Sequence, residues 1–191
     1  NLPDVAVTPS EHFNTVLYTG NNTTNAITGV GFQPDFVWVK ERSTAASHQL
    51  NDAVRGALKF VEADTDAVEA TSASSADFYQ YDADGFTLGY SNHDQVNVDT
   101  ESYVAWNWKA NGSGSANTDG DMAETVTVSA NVDAGFSIVT YTGDGSAATV
   151  GHGLSKAPEM ILVKNRDAGD GWRVYHANNT AAPETDYLIL N

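Results

Sequence analysis

Phe13-Asn14-Thr15-Val16-Leu17-Tyr18-Thr19-Gly20 returns as Phe136-Ser137-Ile138-Val139-Thr140-Tyr141-Thr142-Gly143, an offset of 123 (136 − 13). Further on, Pro34-Asp35-Phe36-Val37-Trp38-Val39-Lys40-Glu41-Arg42 returns as Pro158-Glu159-Met160-Ile161-Leu162-Val163-Lys164-Asn165-Arg166, an offset of 124 (158 − 34). Each Pro follows a Gly-x-Gly, at Gly29-Val30-Gly31 and Gly151-His152-Gly153. Chance does not keep this order and spacing, so the chain carries one β-rich unit twice.

The first unit spans 13–112 and closes with Tyr103-Val104-Ala105-Trp106-Asn107-Trp108-Lys109. Asn111-Gly112-Ser113-Gly114-Ser115 opens a Gly/Ser-rich stretch, 113–124, that reads as a linker. The second unit, 125–191, begins with the alternating Thr125-Val126-Thr127-Val128-Ser129. It has no counterpart of Asp84-Gly85-Phe86-Thr87-Leu88-Gly89 or of Tyr103–Lys109, and Tyr187-Leu188-Ile189-Leu190 stands where the first unit has Lys59-Phe60-Val61. A β unit without its last strands exposes sheet edges. The expectation is that the polypeptide continues past residue 191, or that another chain completes the unit. Residues 1–12 read as a junction segment.

Strands are expected at 15–19, 35–41, 85–90, 102–109, 125–129, 136–142 and 159–165. Within 103–108, Val104, Trp106 and Trp108 are expected on the core face, opposite Tyr103, Ala105 and Asn107. The stretch 35–40 is apolar on both faces and is expected to be a central strand. Val54, Ala57, Leu58 and Val61 follow helical spacing, but the second unit holds Pro183 and the run Tyr187–Leu190 there. A strand over 57–62 and a loop over 63–76 are therefore expected. The fold class is all-β: two tandem antiparallel β-sandwich units, jelly-roll or lectin-like, the second incomplete.

Apolar residues make up 41% and charged residues only 18%, with 25 acidic against 9 basic and a formal net charge of −16. Such a chain repels nucleic-acid backbones and anionic membrane surfaces. No apolar run approaches the ~20 residues that span a bilayer. With no cysteine, disulfides, thiol catalysis and thiolate metal sites are excluded.

No nucleophile elbow, P-loop, zinc-protease helix or dinucleotide fingerprint is present, and no enzyme is expected. Asp82-x-Asp84-Gly85 resembles the start of a calcium loop, but position twelve is His93 where a Glu is needed. Asp82 and Asp84 are the candidate Ca2+ ligands; a solvated β-turn is the preferred account. None of His12, His48, His93, His152 and His176 has metal-ligand spacing or stands beside a nucleophile.

Lys40-x-Arg42 and Lys164-x-Arg166 place four of the nine basic residues at the ends of the repeated strand. We prefer a salt bridge copied with the unit; contact with an acidic glycan or a neighbouring subunit is the functional alternative. Among Trp38, Trp106, Trp108 and Trp172, the last lies in a turn-rich stretch beside Gly169 and Gly171. It is the candidate sugar-stacking platform, although burial in a core is preferred.

The run Tyr18-Thr19-Gly20-Asn21 … Ile27-Thr28-Gly29-Val30-Gly31-Phe32-Gln33-Pro34-Asp35-Phe36-Val37-Trp38-Val39-Lys40 resembles a unit of virion structural proteins of marine tailed bacteriophages. So do Val54-Arg55-Gly56, Asp84–Gly89, Tyr103–Ala110, Gly135–Gly143 and Val150–Leu154 with Val163–Asp167. Asn107 departs from the pattern, where relatives often place Cys. The resemblance implies a particle component: a tail-fibre or appendage subunit with a role in host attachment, or a head-decoration protein. It implies other virion proteins as partners, a homo-oligomer (a trimer in a fibre) and a place on the particle surface. Asn1-Leu2-Pro3-Asp4 then looks like the junction after an upstream domain. The resemblance supplies no catalytic residues. A glycan-binding unit is a second expectation. A polysaccharide depolymerase ranks last, since no pair of carboxylates stands out.

Overall fold

A computed structural model describes residues 7–191. The proposed junction Asn1–Asp4 lies outside them. The described chain is all-β, with no α-helix; a single 3₁₀ turn, Pro9–Glu11, precedes the first strand. Its strands form antiparallel sheets of six, three, three and two strands, none closed.

The six-stranded sheet has the order β1 (Phe13–Thr19), β9 (Ser102–Trp108), β3 (Phe36–Glu41), β4 (Gln49–Asp52), β5 (Lys59–Glu62), β6 (Ala70–Thr71). The three-stranded sheet β2 (Asn25–Ile27), β8 (Gly85–Leu88), β7 (Phe78–Asp82) lies across one of its faces. Between them sits a core of Ile27, Val37, Val39, Phe78, Phe86, Leu88, Val96, Tyr103 and Ala105. Phe78 and Phe86 stack at 4.9 Å. β3 is indeed central, flanked by β9 and β4.

The inner face of β9 is the reverse of the expected one. Tyr103, Ala105 and Asn107 are fully buried, and Val104, Trp106 and Trp108 only half so. Bulk favours the Trp face, but the space between the two sheets takes Ala105 and one aromatic, Tyr103. The polar donors inside find acceptors, although Asn107 Oδ1 is left without a partner among the described residues. Asn107 Nδ2 donates to Asn14 O at 3.2 Å and Ala105 O at 3.1 Å, and Tyr103 OH accepts from Val98 N at 3.0 Å. The Trp face packs elsewhere: Trp108 lies 4.8 Å from the Phe13 ring and 5.4 Å from Phe36.

The strand expected over 57–62 is β5, preceded by a turn, so the helical spacing there does not decide the structure. The expected loop over 63–76 contains the short β6. The proposed linker 113–124 is not free. Ser115–Asn117 forms β10 on β11 (Val126–Asn131), which pairs with β12 (Phe136–Thr140). Gly114 lets this happen: at φ +75° it brings its Cα so close to β11 that an added Cβ would sit 2.7 Å from Val128 O.

The last sheet is β13 (Met160–Val163) and β14 (Arg173–His176), with Leu188 bridging β14 at Val174. The two repeats match down to single bonds. Ala53 N donates to Asp35 O at 2.8 Å, and Ala177 N to Glu159 O at 2.8 Å, each 124 residues on. Asn14 Nδ2 donates to Gly29 O and Val30 O; its counterpart Ser137 donates to His152 O at 2.6 Å. No helix among the described residues is long and apolar enough to cross a membrane.

Candidate functional site

The basic residues singled out by the repeat do two different things. Lys40 Nζ donates to the carbonyls of Glu41 (2.6 Å), Thr44 (3.4 Å) and Ala46 (2.8 Å). Lys164 Nζ does the same with Asn165 (2.7 Å), Ala168 (3.4 Å) and, across the repeats, Asp66 (3.3 Å). Each ammonium gathers the carbonyls of the loop that follows its strand. Burial holds the Lys164 ammonium below its ordinary pKa, against the opposing charges of Asp170 and Asp66. The preferred salt bridge is therefore not what either lysine makes among the described residues; both are spent on backbone.

Arg166 does make one. Its Nε donates to Glu69 Oε2 at 2.7 Å and its Nη2 to Glu69 Oε1 at 2.8 Å. Arg42, its counterpart, is exposed and has no ion pair among the described residues. Glu69 also receives Arg55 Nη1 at 3.3 Å and lies 3.4 Å from Lys59 Nζ. Arg55 in turn pairs with the buried Asp52 at 2.5 Å. Burial raises the Glu69 pKa, but the hydrogen bonds and charges of Arg166 and Arg55 outweigh it, and the net direction is downward.

Trp172 is not a platform. It is 5% exposed and packs with Leu50, Val61 and Ala63 of the first repeat, with Phe36 and Trp38 at the margin. Its Nε1 donates to Glu62 O at 2.7 Å. Its flanking glycines suggested exposure; what buries it is the other repeat, which local sequence does not show. Phe136 adds to the same seam, 5.9 Å from Phe36 and 6.0 Å from Trp108. The second repeat thus covers part of the outer face of the six-stranded sheet, around Phe36, Leu50, Val61 and Trp108, while Leu17 of β1 stays 65% exposed.

The acidic turn is also occupied from within. Asp84 Oδ1 accepts from Gly31 N at 2.6 Å and its Oδ2 from Gly29 N at 3.0 Å, and these two bonds lower its pKa. Asp82 accepts from Gln80 and, at 2.5 Å, from Thr87 Oγ1. Among the described residues no group of three or more His, Asp or Glu side chains is placed to hold a metal ion. Asp84 instead fixes the Gly-x-Gly loop, and Asp82 ties β7 to β8 through Thr87, roles that the sequence spacing did not reveal.

One unforeseen cluster joins Ser72, Asp77 and His93. Ser72 Oγ donates to the buried Asp77 Oδ2 at 2.7 Å, and His93 Nδ1 lies 2.6 Å from the same oxygen. The carboxylate stands between hydroxyl and imidazole. An activated nucleophile needs the imidazole in that middle position. The cluster ties a loop rather than priming a serine.

What remains uncovered is the second repeat's own sheet. Val37 and Val39 of β3 are 0% exposed; their counterparts Ile161 and Val163 in β13 are 41% and 38% exposed. Met160, Leu162 and all of Tyr187–Leu190 are exposed too. A shallow cavity of about 250 Å³ lies here, lined by Ile161, Val163, Arg173, Val174, Pro183 and Tyr187. Arg173 sits 4.3 Å from the Tyr187 ring centroid. Contiguous exposed apolar surface marks an interaction site.

A family model described as "Domain of unknown function (DUF7483)" matches residues 8–191. No curated protein and no solved structure matches the chain.

Proposed function

The chain belongs to the DUF7483 family, a domain of unknown function, and we propose that it is a structural component of a bacteriophage virion, a tail-fibre or appendage subunit with a role in host attachment. Two tandem antiparallel β-sandwich units, the second incomplete, form its architecture. The single observation that carries this is the open second sheet, with apolar β13 uncovered on a chain whose Lys40, Lys164, Arg166 and Asp84 side chains are spent on structural bonds. That combination suits a subunit that assembles with others better than one that turns over a substrate. The acidic surface and the sequence resemblance to marine phage proteins support the same assignment. Its partners are other virion proteins and further copies of itself, and its place is the particle surface.

Purified phage particles from a host carrying this gene test the proposal. Antibody against the chain is expected to label the particle, at the tail or its appendages. Label on the head shell would favour decoration, and its absence from particles would overturn the assignment. A glycan array tests the attachment role. Trp172 is withdrawn into the seam, so any sugar site must use other residues.

A further inference from the structure

In the first repeat, β9 fills the space between β1 and β3 and is antiparallel to both. Trp108 lies opposite both Phe13 and Phe36, and Ala105 opposite both Val16 and Val39. The counterparts of β1 and β3 in the second repeat are β12 and β13. β12 ends its sheet, paired only with β11, and β13 pairs only with β14. The two strands that flank β9 in one repeat thus each present an unpaired edge in the other.

A second mark of the missing strand is acidic. Asp35, 3% exposed, accepts from Ala110 N at 2.7 Å, which anchors the backbone as it leaves β9. Its counterpart Glu159 is exposed, and its carboxylate has no hydrogen-bond partner among the described residues. Yet the backbone there is a faithful copy, since Ala177 N bonds Glu159 O as Ala53 N bonds Asp35 O.

We propose that the edge of β13, with Glu159 at its start, is an acceptor site for one β-strand of the β9 type donated by a partner polypeptide. The described residues hold no spare strand. β9 is fixed between β1 and β3, and the chain after β13 is used on the β14 side. Main-chain bonds to the edge supply affinity, and side-chain alternation supplies selectivity. The register fixes that alternation. The donor places a large aromatic opposite Phe136 and Met160, and a small residue opposite Val139 and Val163. Its exit amide bonds Glu159. The site follows from the internal repeat and stands whether or not the chain belongs to a virion.

The probe is a dye-labelled nonapeptide with the sequence of Ser102–Ala110, titrated into the 191-residue protein by fluorescence anisotropy. Saturable binding is expected. A peptide N-methylated at alternate residues, which cannot complete the ladder, is expected to lose it. So is a scrambled peptide of the same composition. Glu159→Ala, at an exposed position, is expected to weaken binding about tenfold, the scale of one charge-assisted hydrogen bond. Three outcomes overturn the proposal: no binding by a folded monomer at millimolar peptide, equal binding of the N-methylated peptide, or a dimer dispersed by Leu162→Lys, which would make a second copy the occupant. If protein carrying further natural C-terminal residues no longer takes the peptide, the strand comes from the same polypeptide and the partner source is overturned.

Discussion

Arg166 and Glu69, 97 residues apart, join the two repeats through a forked pair of hydrogen bonds of 2.7 and 2.8 Å. The pair is flanked by the bond from Glu69 N to Arg166 O at 2.9 Å. Side chain and main chain of both residues therefore meet. Arg166 is 37% exposed at its side chain and Glu69 only 11%. Removing the guanidinium leaves Glu69 with Arg55 and Lys59 alone. Arg166→Ala is expected to cost about 1–2 kcal/mol, less than a fully buried pair because water screens the outer side. Arg166→Lys should recover only part, since an ammonium cannot fork. Urea denaturation of the three proteins measures both.

The same seam predicts an acid sensitivity. The Glu69 pKa is depressed in the folded protein. Its contribution is fully present above the unfolded value of about 4.3, and is lost as pH falls through the lower folded value. Thermal melts from pH 6 to pH 3 should show wild type losing more stability than Glu69→Gln. Equal slopes would show that the carboxylate is not coupled to folding.

Trp172 is expected to be a stability residue with no ligand role. Trp172→Ala empties a site walled by Leu50, Val61 and Ala63 and should cost about 3–5 kcal/mol. Trp172→Phe keeps much of the volume but loses the bond to Glu62 O, a further cost of about 1 kcal/mol. Calorimetry reads both, and an unchanged melting temperature for Trp172→Ala would contradict the seam.

His48 carries a second titration. Trp38 Nε1 donates to its Nδ1 at 2.8 Å, so that nitrogen must be bare. Burial, more than the nearby Lys40 charge, lowers the His48 pKa against the pull of Asp64. The unfolded chain then binds the proton more readily. The contribution is complete above about pH 6.5 and declines as pH falls toward the folded value. The Trp38 indole N–H resonance should shift with pH in that window, and His48→Phe should abolish the shift.

Asp84 and Gly85 make one structural device. Asp84 caps Gly29 and Gly31, and a Cβ on Gly85 would lie 2.0 Å from Ile27 O at φ +149°. Gly85→Ala is expected to cost on the order of 3 kcal/mol, by clash with backbone that cannot give. Millimolar Ca2+ should leave the melting temperature unchanged, because both Asp84 oxygens are already taken. A Ca2+-dependent rise would restore the metal account.

Alternation made β9 and β11 legible, an apolar run on both faces marked β3, and the repeat placed β1 with β12 and β5 against its helical spacing. Polar strands were not legible. Gln49-Leu50-Asn51-Asp52 of β4 is buried throughout and shows no alternation. Its side-chain amide donors are satisfied inside, Gln49 Nε2 by Asn51 Oδ1 at 2.9 Å and Asn51 Nδ2 by Ala57 O at 3.0 Å. The inner face of β9 and the burial of Trp172 depend on what lies across from them, which no local pattern carries. Nor does spacing show that lysines would cap carbonyls while one arginine of two found an acid. The repeat did point to the open sheet, since the counterparts of β8 and β9 are missing from the second unit's sequence.

Amide hydrogen exchange tests the central claim most directly, by comparing β3 with its counterpart β13 in one protein. Phe36–Glu41, paired on both sides, should exchange slowly. Met160–Val163 should exchange fast at alternate amides, and slow markedly when the Ser102–Ala110 peptide is added. Equal protection of the two strands in the free monomer would contradict the account.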